Sequence, residues 1–225
     1  MTGEGIVLRW PSRVLRLAAR ACLALGVVAC GAEEKASLPV PTAEPVASGD
    51  LEVAIFAGGC FWCMQPPFRR LPGVTSTISG YTGGTTESPS YDDVSSGTTG
   101  HAEAVQVTYD PKQVSYEKLL EVFWANIDPL AKDSQFCDFG SQYRSAIFVR
   151  DENERKLAEA SRDALAASGK LPGPIATTIE PAAKFYAAEE YHQDFDQKNV
   201  ERYKQYVTGC GRKQRLEQLW GKSEG

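Results

Sequence analysis

Residues 51–57, Leu-Glu-Val-Ala-Ile-Phe-Ala, form an apolar run that ends in Gly58-Gly59-Cys60-Phe61-Trp62-Cys63-Met64, with Pro66-Pro67 close behind. The run reads as a strand, the paired glycines as a sharp turn. The prolines restrict any following helix to one that begins near residues 61–63, so that at least Pro66 falls in its first turn. A thiol at such a junction faces the free N–H groups of the helix, which favour the thiolate. The glycines are expected to leave open space beside the sulfur, and Cys63 is near enough in sequence to close a disulfide with Cys60. A redox thiol is the leading reading. Two buried cysteines packed as small hydrophobic side chains, or paired as a static disulfide, are the alternative that the local spacing leaves open.

The first fifty residues have a different character. Arg9, Arg13, Arg16 and Arg20 form a basic region, residues 21–29 an apolar run, and Ala29-Cys30-Gly31 a small-residue junction. That order is a signal peptide; the apolar run is too short to span a bilayer. Val27-Val28-Ala29-Cys30 resembles the lipobox of bacterial lipoproteins, which implies cleavage before Cys30 and acylation of its sulfur. Residues 31–50 are small, polar and proline-bearing, and read as a tether. The expected organisation is a signal peptide over 1–29, a lipidated Cys30 and tether over 30–50, and a globular domain over 51–222. The protein is then anchored on the extracytoplasmic side of the bacterial envelope, periplasmic or at the cell surface. With Cys22 removed and Cys30 lipidated, Cys60, Cys63, Cys137 and Cys210 face an oxidising compartment. A net charge of −5 over 225 residues, with scattered lysines and arginines, disfavours nucleic acid as a partner.

Beyond the thiol stretch, residues 74–81 alternate as a strand, and 83–100 form a long loop rich in Gly, Ser and Thr that carries Tyr91. Residues 102–110 alternate as a half-buried strand. Ser115 caps a helix with Leu119, Leu120, Phe123 and Ile127 on one face, ended by Pro129. Residues 130–142 are irregular and carry Cys137 and Asp138; 143–149 is an apolar strand. Asp151 and Glu154 form a capping box for a helix to Ser168, with Gly169 as its C-terminal cap. A short strand near 175–179, an aromatic and acidic segment over 185–193 and a polar tail follow. The expected fold is α+β (two-layer α/β), with helices packed on a mixed, largely antiparallel sheet and long active-site loops.

Glu103, if buried beside the cysteine, would keep a proton near neutral pH and act as a general acid; its bland alternative is a solvated strand-end glutamate. Tyr91 and Tyr143 can donate hydrogen bonds to a substrate oxygen, or serve as ordinary half-buried tyrosines. His101 and His192 lack metal-site partners, and no phosphate or dinucleotide loop is present, so neither metal nor cofactor is expected.

The runs Gly58 to Trp62, Gly80-Tyr81, Pro89 to Tyr91, Gly100 to Glu103, Gln142 to Ser145 and Ala188 to Asp194 together resemble the A-type peptide methionine sulfoxide reductases, in order from about residue 53 to 195. The resemblance implies a ferredoxin-like core and reduction of methionine S-sulfoxide, free or in peptides and proteins, through a Cys60 sulfenic acid. It assigns proton donation to Glu103, oxygen binding to Tyr91 and Tyr143, the methyl pocket to Phe61 and Trp62, and polarisation of the site to Asp138. Cys63 is the expected resolving thiol, with Cys210 as a second resolver that relays the disulfide outward; Cys137 has no assigned role. A thioredoxin-like protein is the expected reductant and a monomer the expected state. A general thiol–disulfide oxidoreductase is the rival reading. Phe-Trp between the two thiols, and the Gly-His-Ala-Glu strand, speak against it.

Overall fold

The computed structural model describes residues 51–221; the signal peptide, Cys30 and the tether lie outside the described residues. In chain order the elements are β1 (Glu52–Gly58), α1 (Phe61–Arg69), β2 (Val74–Thr82), α2 (Tyr91–Ser95), β3 (Ala102–Tyr109), α3 (Tyr116–Ala125), β4 (Ser134–Gln135), β5 (Asp138–Phe139), β6 (Ser145–Val149), α4 (Glu152–Ala167), β7 (Thr178–Pro181), β8 (Tyr186–Ala187), α5 (Phe195–Lys198), α6 (Val200–Gly209) and α7 (Arg212–Trp220). Six strands form one sheet in the order β7-β6-β1-β3-β2-β8. Within it, β6-β1-β3-β2 is the antiparallel four-strand core of a ferredoxin-like βαββαβ unit, and only the added β7 runs parallel to its neighbour.

Period-two alternation decides which side chains meet the helices. Ala54 and Phe56 of β1, with Val105, Val107 and Tyr109 of β3, pack against α1 and α3, while Val53, Ile55 and Ala57 join Ala102, Ala104 and Phe148 on the opposite face. Phe56 lies between the helices, its ring stacked 5.0 Å from Phe68 and 5.4 Å from Phe123. Both faces of β3 are covered, so the strand is almost wholly buried and not half-buried as its alternation suggests.

Ser115 and Asp151 cap α3 and α4 as expected, each accepting a backbone N–H three residues on. The loop over 83–100 is less irregular than expected. Ser90 and Asp93 satisfy each other's backbone N–H groups and nucleate α2. The strand expected near 175–179 forms slightly later as β7, and the polar tail folds into α6 and α7.

Two expectations at the thiol junction are corrected. Pro66 and Pro67 are the sixth and seventh residues of α1 and fall beyond its first turn. They deprive the carbonyls of Trp62 and Cys63 of their helical donors, a substitution that costs about 3 kcal/mol in an ordinary helix. Nor do the glycines leave open space. A Cβ on Gly58 would stand 2.7 Å from Met64 and Ile127, and one on Gly59, at φ +81°, 2.4 Å from the Gln135 Cβ. The neighbours pack directly onto this backbone, and that contact fixes the sulfur's position.

Candidate active site

Cys60 is the N-cap residue of α1, and both it and Cys63 are free thiols, buried to 7% and 5% exposure. The β1–β3 register places Phe56 opposite Val105, so Glu103, two residues further along β3, comes level with the turn that leads to Cys60. Its alternation with Val105 and Val107 turns it towards α1. There its Oε2 accepts the Phe61 N–H at 3.0 Å, the first free donor of the helix. Glu103 is 2% exposed. Burial pushes its carboxyl up to about 8 against the pull of that single N–H, and the charges of Asp138 and Cys63 add to the rise.

The helix terminus therefore serves the carboxyl and not the sulfur. The expected thiolate at Cys60 is reversed: burial, then the hydrogen bond to Cys63, hold its thiol well above the ordinary range. Cys63 moves the other way, lowered first by the hydrogen bond that Cys60 donates and then, against its own burial, by the Arg212 guanidinium. The pair holds a protonated Cys60 against a more acidic Cys63.

The remaining side chains named from the sequence converge on this pair. The Glu189 carboxylate accepts the Tyr91 N–H at 2.8 Å and the Tyr81 hydroxyl at 2.9 Å, which fixes the start of α2 against β2. Tyr143, in a 3-10 turn over Ser141–Tyr143, brings its phenol beside that of Tyr91. Burial raises both phenols, with the Glu103 charge as the next cause, so they stay protonated donors. Asp138 sits on β5 of the small β4–β5 hairpin, whose turn is Phe136-Cys137. Phe61 is fully buried against Tyr81 and His192, while Trp62 remains partly exposed with its indole stacked on Phe195 at 3.7 Å.

Three participants had no assigned role. His192 accepts the Trp62 Nε1–H on Nδ1 at 3.0 Å, and burial lowers it to about 4, so it stays a neutral acceptor that sets the indole plane. Its position inside the Ala188–Asp194 motif was the only signal. Tyr206, from α6, donates to Asp138 Oδ2 at 2.5 Å, lies beside the Cys60 thiol and meets the Trp62 ring edge-on at 5.7 Å. A single tyrosine in a polar tail carries no such signal. Third, Cys137 pairs with Cys210 across 73 residues. The structure thus leaves Cys63 as the free thiol beside Cys60 and pairs Cys210, the expected second resolver, with Cys137 instead.

Comparisons with known proteins place the whole described domain in one family. The family model for peptide methionine sulfoxide reductase matches residues 52–224. The chain is 55% identical over 171 residues to the peptide methionine sulfoxide reductase MsrA of Bacillus licheniformis, covering 76% of this chain and 94% of that one. To the Bacillus subtilis protein of the same name it is 53% identical over 170 residues, covering 76% and 96%. Among solved structures, reduced Mxr1 from Saccharomyces cerevisiae superposes with a TM-score of 0.63 at 33% identity, over 69% of this chain and 89% of that one. Methionine sulfoxide reductase A of Corynebacterium diphtheriae gives 0.61 at 34% identity, over 72% and 84%.

The coupling of the two thiols has opposite signs for the two partners. Cys63→Ala should lower the apparent pKa of Cys60, which loses a hydrogen bond and a charge that hold it up; Cys60→Ala should raise that of Cys63. Ultraviolet thiolate absorbance against pH, with Cys137–Cys210 intact, reads both shifts. Movement in the same direction contradicts the arrangement.

Proposed function

The chain belongs to the peptide methionine sulfoxide reductase family, and from that premise we propose that it reduces methionine S-sulfoxide, free or within peptides and proteins, by the following division of labour. The observation that carries the reading is a carboxyl group, Glu103, kept protonated near neutral pH at the wall of a buried thiol.

Attack by the Cys60 sulfur on the sulfoxide sulfur pushes negative charge onto the sulfoxide oxygen. Glu103 neutralises that oxygen with its proton, and Tyr91 and Tyr143 donate hydrogen bonds to it. The Cys60 proton passes to Cys63, present as thiolate, as the sulfur attacks. Collapse transfers the oxygen to Cys60, which becomes a sulfenic acid, and releases methionine; the sulfoxide gains the two electrons that the thiol loses. Phe61 and Trp62 take the methyl group, the indole held in place by His192. Asp138 raises Glu103 by its charge and so keeps the acid loaded.

Cys63 then attacks the sulfenic sulfur, the hydroxyl leaves as water with the Cys63 proton, and a Cys60–Cys63 disulfide results. The lowered pKa of Cys63 raises its thiolate fraction for this step. A dithiol protein of the thioredoxin class reduces the disulfide, and the enzyme works as a monomer. Cys210 is the outer partner in this scheme, paired with Cys137.

We also propose that the enzyme is a lipoprotein of the bacterial envelope, cut before Cys30 and held by acyl chains on its sulfur. The basic, apolar and small-residue regions ahead of Cys30 support this, as does the position of the whole matched region, 52–224, beyond the tether. Several acyl chains on one residue anchor stably where one does not. No helix among the described residues is long and apolar enough to cross a membrane.

The pH dependence follows from the sign of the Glu103 shift. The acid is loaded below about 8 and empty above it, so single-turnover methionine formation should fall as pH rises through that value. In Glu103→Gln the limb should vanish and the plateau drop by about 100-fold or more; an unchanged plateau removes Glu103 as the acid. For the anchor, labelled palmitate should enter the wild-type chain in the producing bacterium and not Cys30→Ser. Equal labelling of both contradicts lipidation at Cys30.

A further inference from the structure

Helix α6, the last but one, differs from the other described helices in that none of its residues is buried. It is set between Asn199, which leaves helical backbone, and Gly211, whose φ is +67° and where a Cβ would meet no heavy atom within 4 Å. The following helix is independently fastened. Arg212 is buried, donates to the Asn126 carbonyl and lies over the Phe136 ring, Arg215 bonds Asp128 at 2.7 Å, and Leu219 is buried. Helix α6 can therefore lift about its two ends while α7 stays docked.

Arg202 and Tyr206 of α6 lie against the rings of Trp62 and Phe195, and two further contacts, neighbours of each other, tie the helix to the β4–β5 hairpin. Tyr206 donates to Asp138, and Cys210, one helical turn later, is bonded to Cys137, the residue before Asp138. The disulfide brackets the hydrogen bond: each of its cysteines sits beside one member of the Asp138–Tyr206 pair. The consequence lies at Cys60. The Tyr206 hydroxyl stands where the Cys60 thiol, the Asp138 carboxylate and the edge of the Trp62 ring converge. In the proposed reaction, on which this inference rests, that is the place of the sulfoxide group. The phenol, against the Cys60 thiol, stands in the approach of a sulfoxide to that sulfur.

We propose that the Cys137–Cys210 disulfide latches Tyr206 into the sulfoxide position over Cys60, and that its reduction frees α6 and admits the substrate. The step balances as a dithiol exchange. A donor dithiol of the thioredoxin class attacks one sulfur of Cys137–Cys210, both cysteines leave as thiols with the donor's two protons, and the donor becomes a disulfide. Cys137 is exposed at the hairpin turn, open to such a donor. Substrate is then admitted only where reductant is on hand to complete the cycle.

The test compares four forms of the full domain by two readouts. The forms are wild type with Cys60 and Cys63 reduced and Cys137–Cys210 closed, verified by mass; wild type fully reduced; Tyr206→Ala with the disulfide closed; and the double variant Cys137→Ser, Cys210→Ser. Iodoacetamide alkylation of Cys60, located by peptide mass, should be at least about tenfold faster in the last three than in the latched wild type, as expected if the open form is a tenth or less of the latched population. Single-turnover methionine formation should follow the same order. Equal alkylation in all four forms overturns the latch, and so does slower methionine formation in Tyr206→Ala, which would make the phenol a participating donor. Tyr206→Ala keeps the disulfide, so the test survives if the double variant unfolds. Alkylation is independent of turnover: the expected alkylation order with no methionine from any form would leave the latch standing and remove the proposed activity.

Discussion

A carboxyl group shut away from water with one backbone N–H for company keeps its proton at pH values where an exposed glutamate has lost it, and Glu103 is in that position. The site depends on this interaction in two ways. It loads the acid that the sulfoxide oxygen needs, and it occupies the helix donor that would otherwise draw a thiolate at Cys60. The helix N–H goes to Glu103, and burial with the neighbouring Cys63 keeps Cys60 protonated. The two cysteines thus differ in role, a neutral nucleophile beside an acid and a more acidic thiol poised to resolve.

That contact is set by the sheet. The register of β1 on β3 brings Glu103 level with the Gly58-Gly59 turn, and the turn can stand only there because Met64, Ile127 and Gln135 pack on its bare backbone. Gln135 is itself fixed, exchanging two hydrogen bonds with the main chain of Asp128 at 2.8 and 2.7 Å. The nucleophile and acid therefore rest on the stiffest part of the domain. The phenol over the thiol comes from α6, an element with no buried residue. Chemistry is placed on the rigid core and access on the loosest helix, the division expected when a site must be both preorganised and gated.

The sequence was most legible where local rules and burial agree. The strand, the turn and the helix around Cys60 follow from an apolar run, two glycines and the following helical segment, and Ser115 and Asp151 announce their helices by cap chemistry that needs no tertiary partner. The core topology and the converging roles of Glu103, Tyr91, Tyr143, Phe61 and Trp62 came through resemblance, because no local rule states that residues forty apart share a wall. What failed did so for tertiary reasons. At Cys60 the helix donor goes to a competing acceptor on β3, forty-two residues away and invisible to local sequence. The space beside the glycines was filled by side chains from α1, β4 and the segment after α3. Helix α2 lies in a loop where its Ser90-x-x-Asp93 cap does not stand out among many serines. The tail helices and the Cys137–Cys210 pairing carry no periodic apolar signal, since the tail meets the domain through polar and aromatic groups.

The central claim is that Cys60 takes the sulfoxide oxygen and Cys63 is the first to close on it. Fully reduced domain given one equivalent of methionine S-sulfoxide, quenched with acid at early times and mapped by mass, tests this directly. The account predicts one methionine released per chain and Cys60–Cys63 as the first disulfide, with Cys137 and Cys210 still thiols. A first disulfide joining Cys60 to Cys210 or Cys137, or methionine released with Cys60 unchanged, would contradict it.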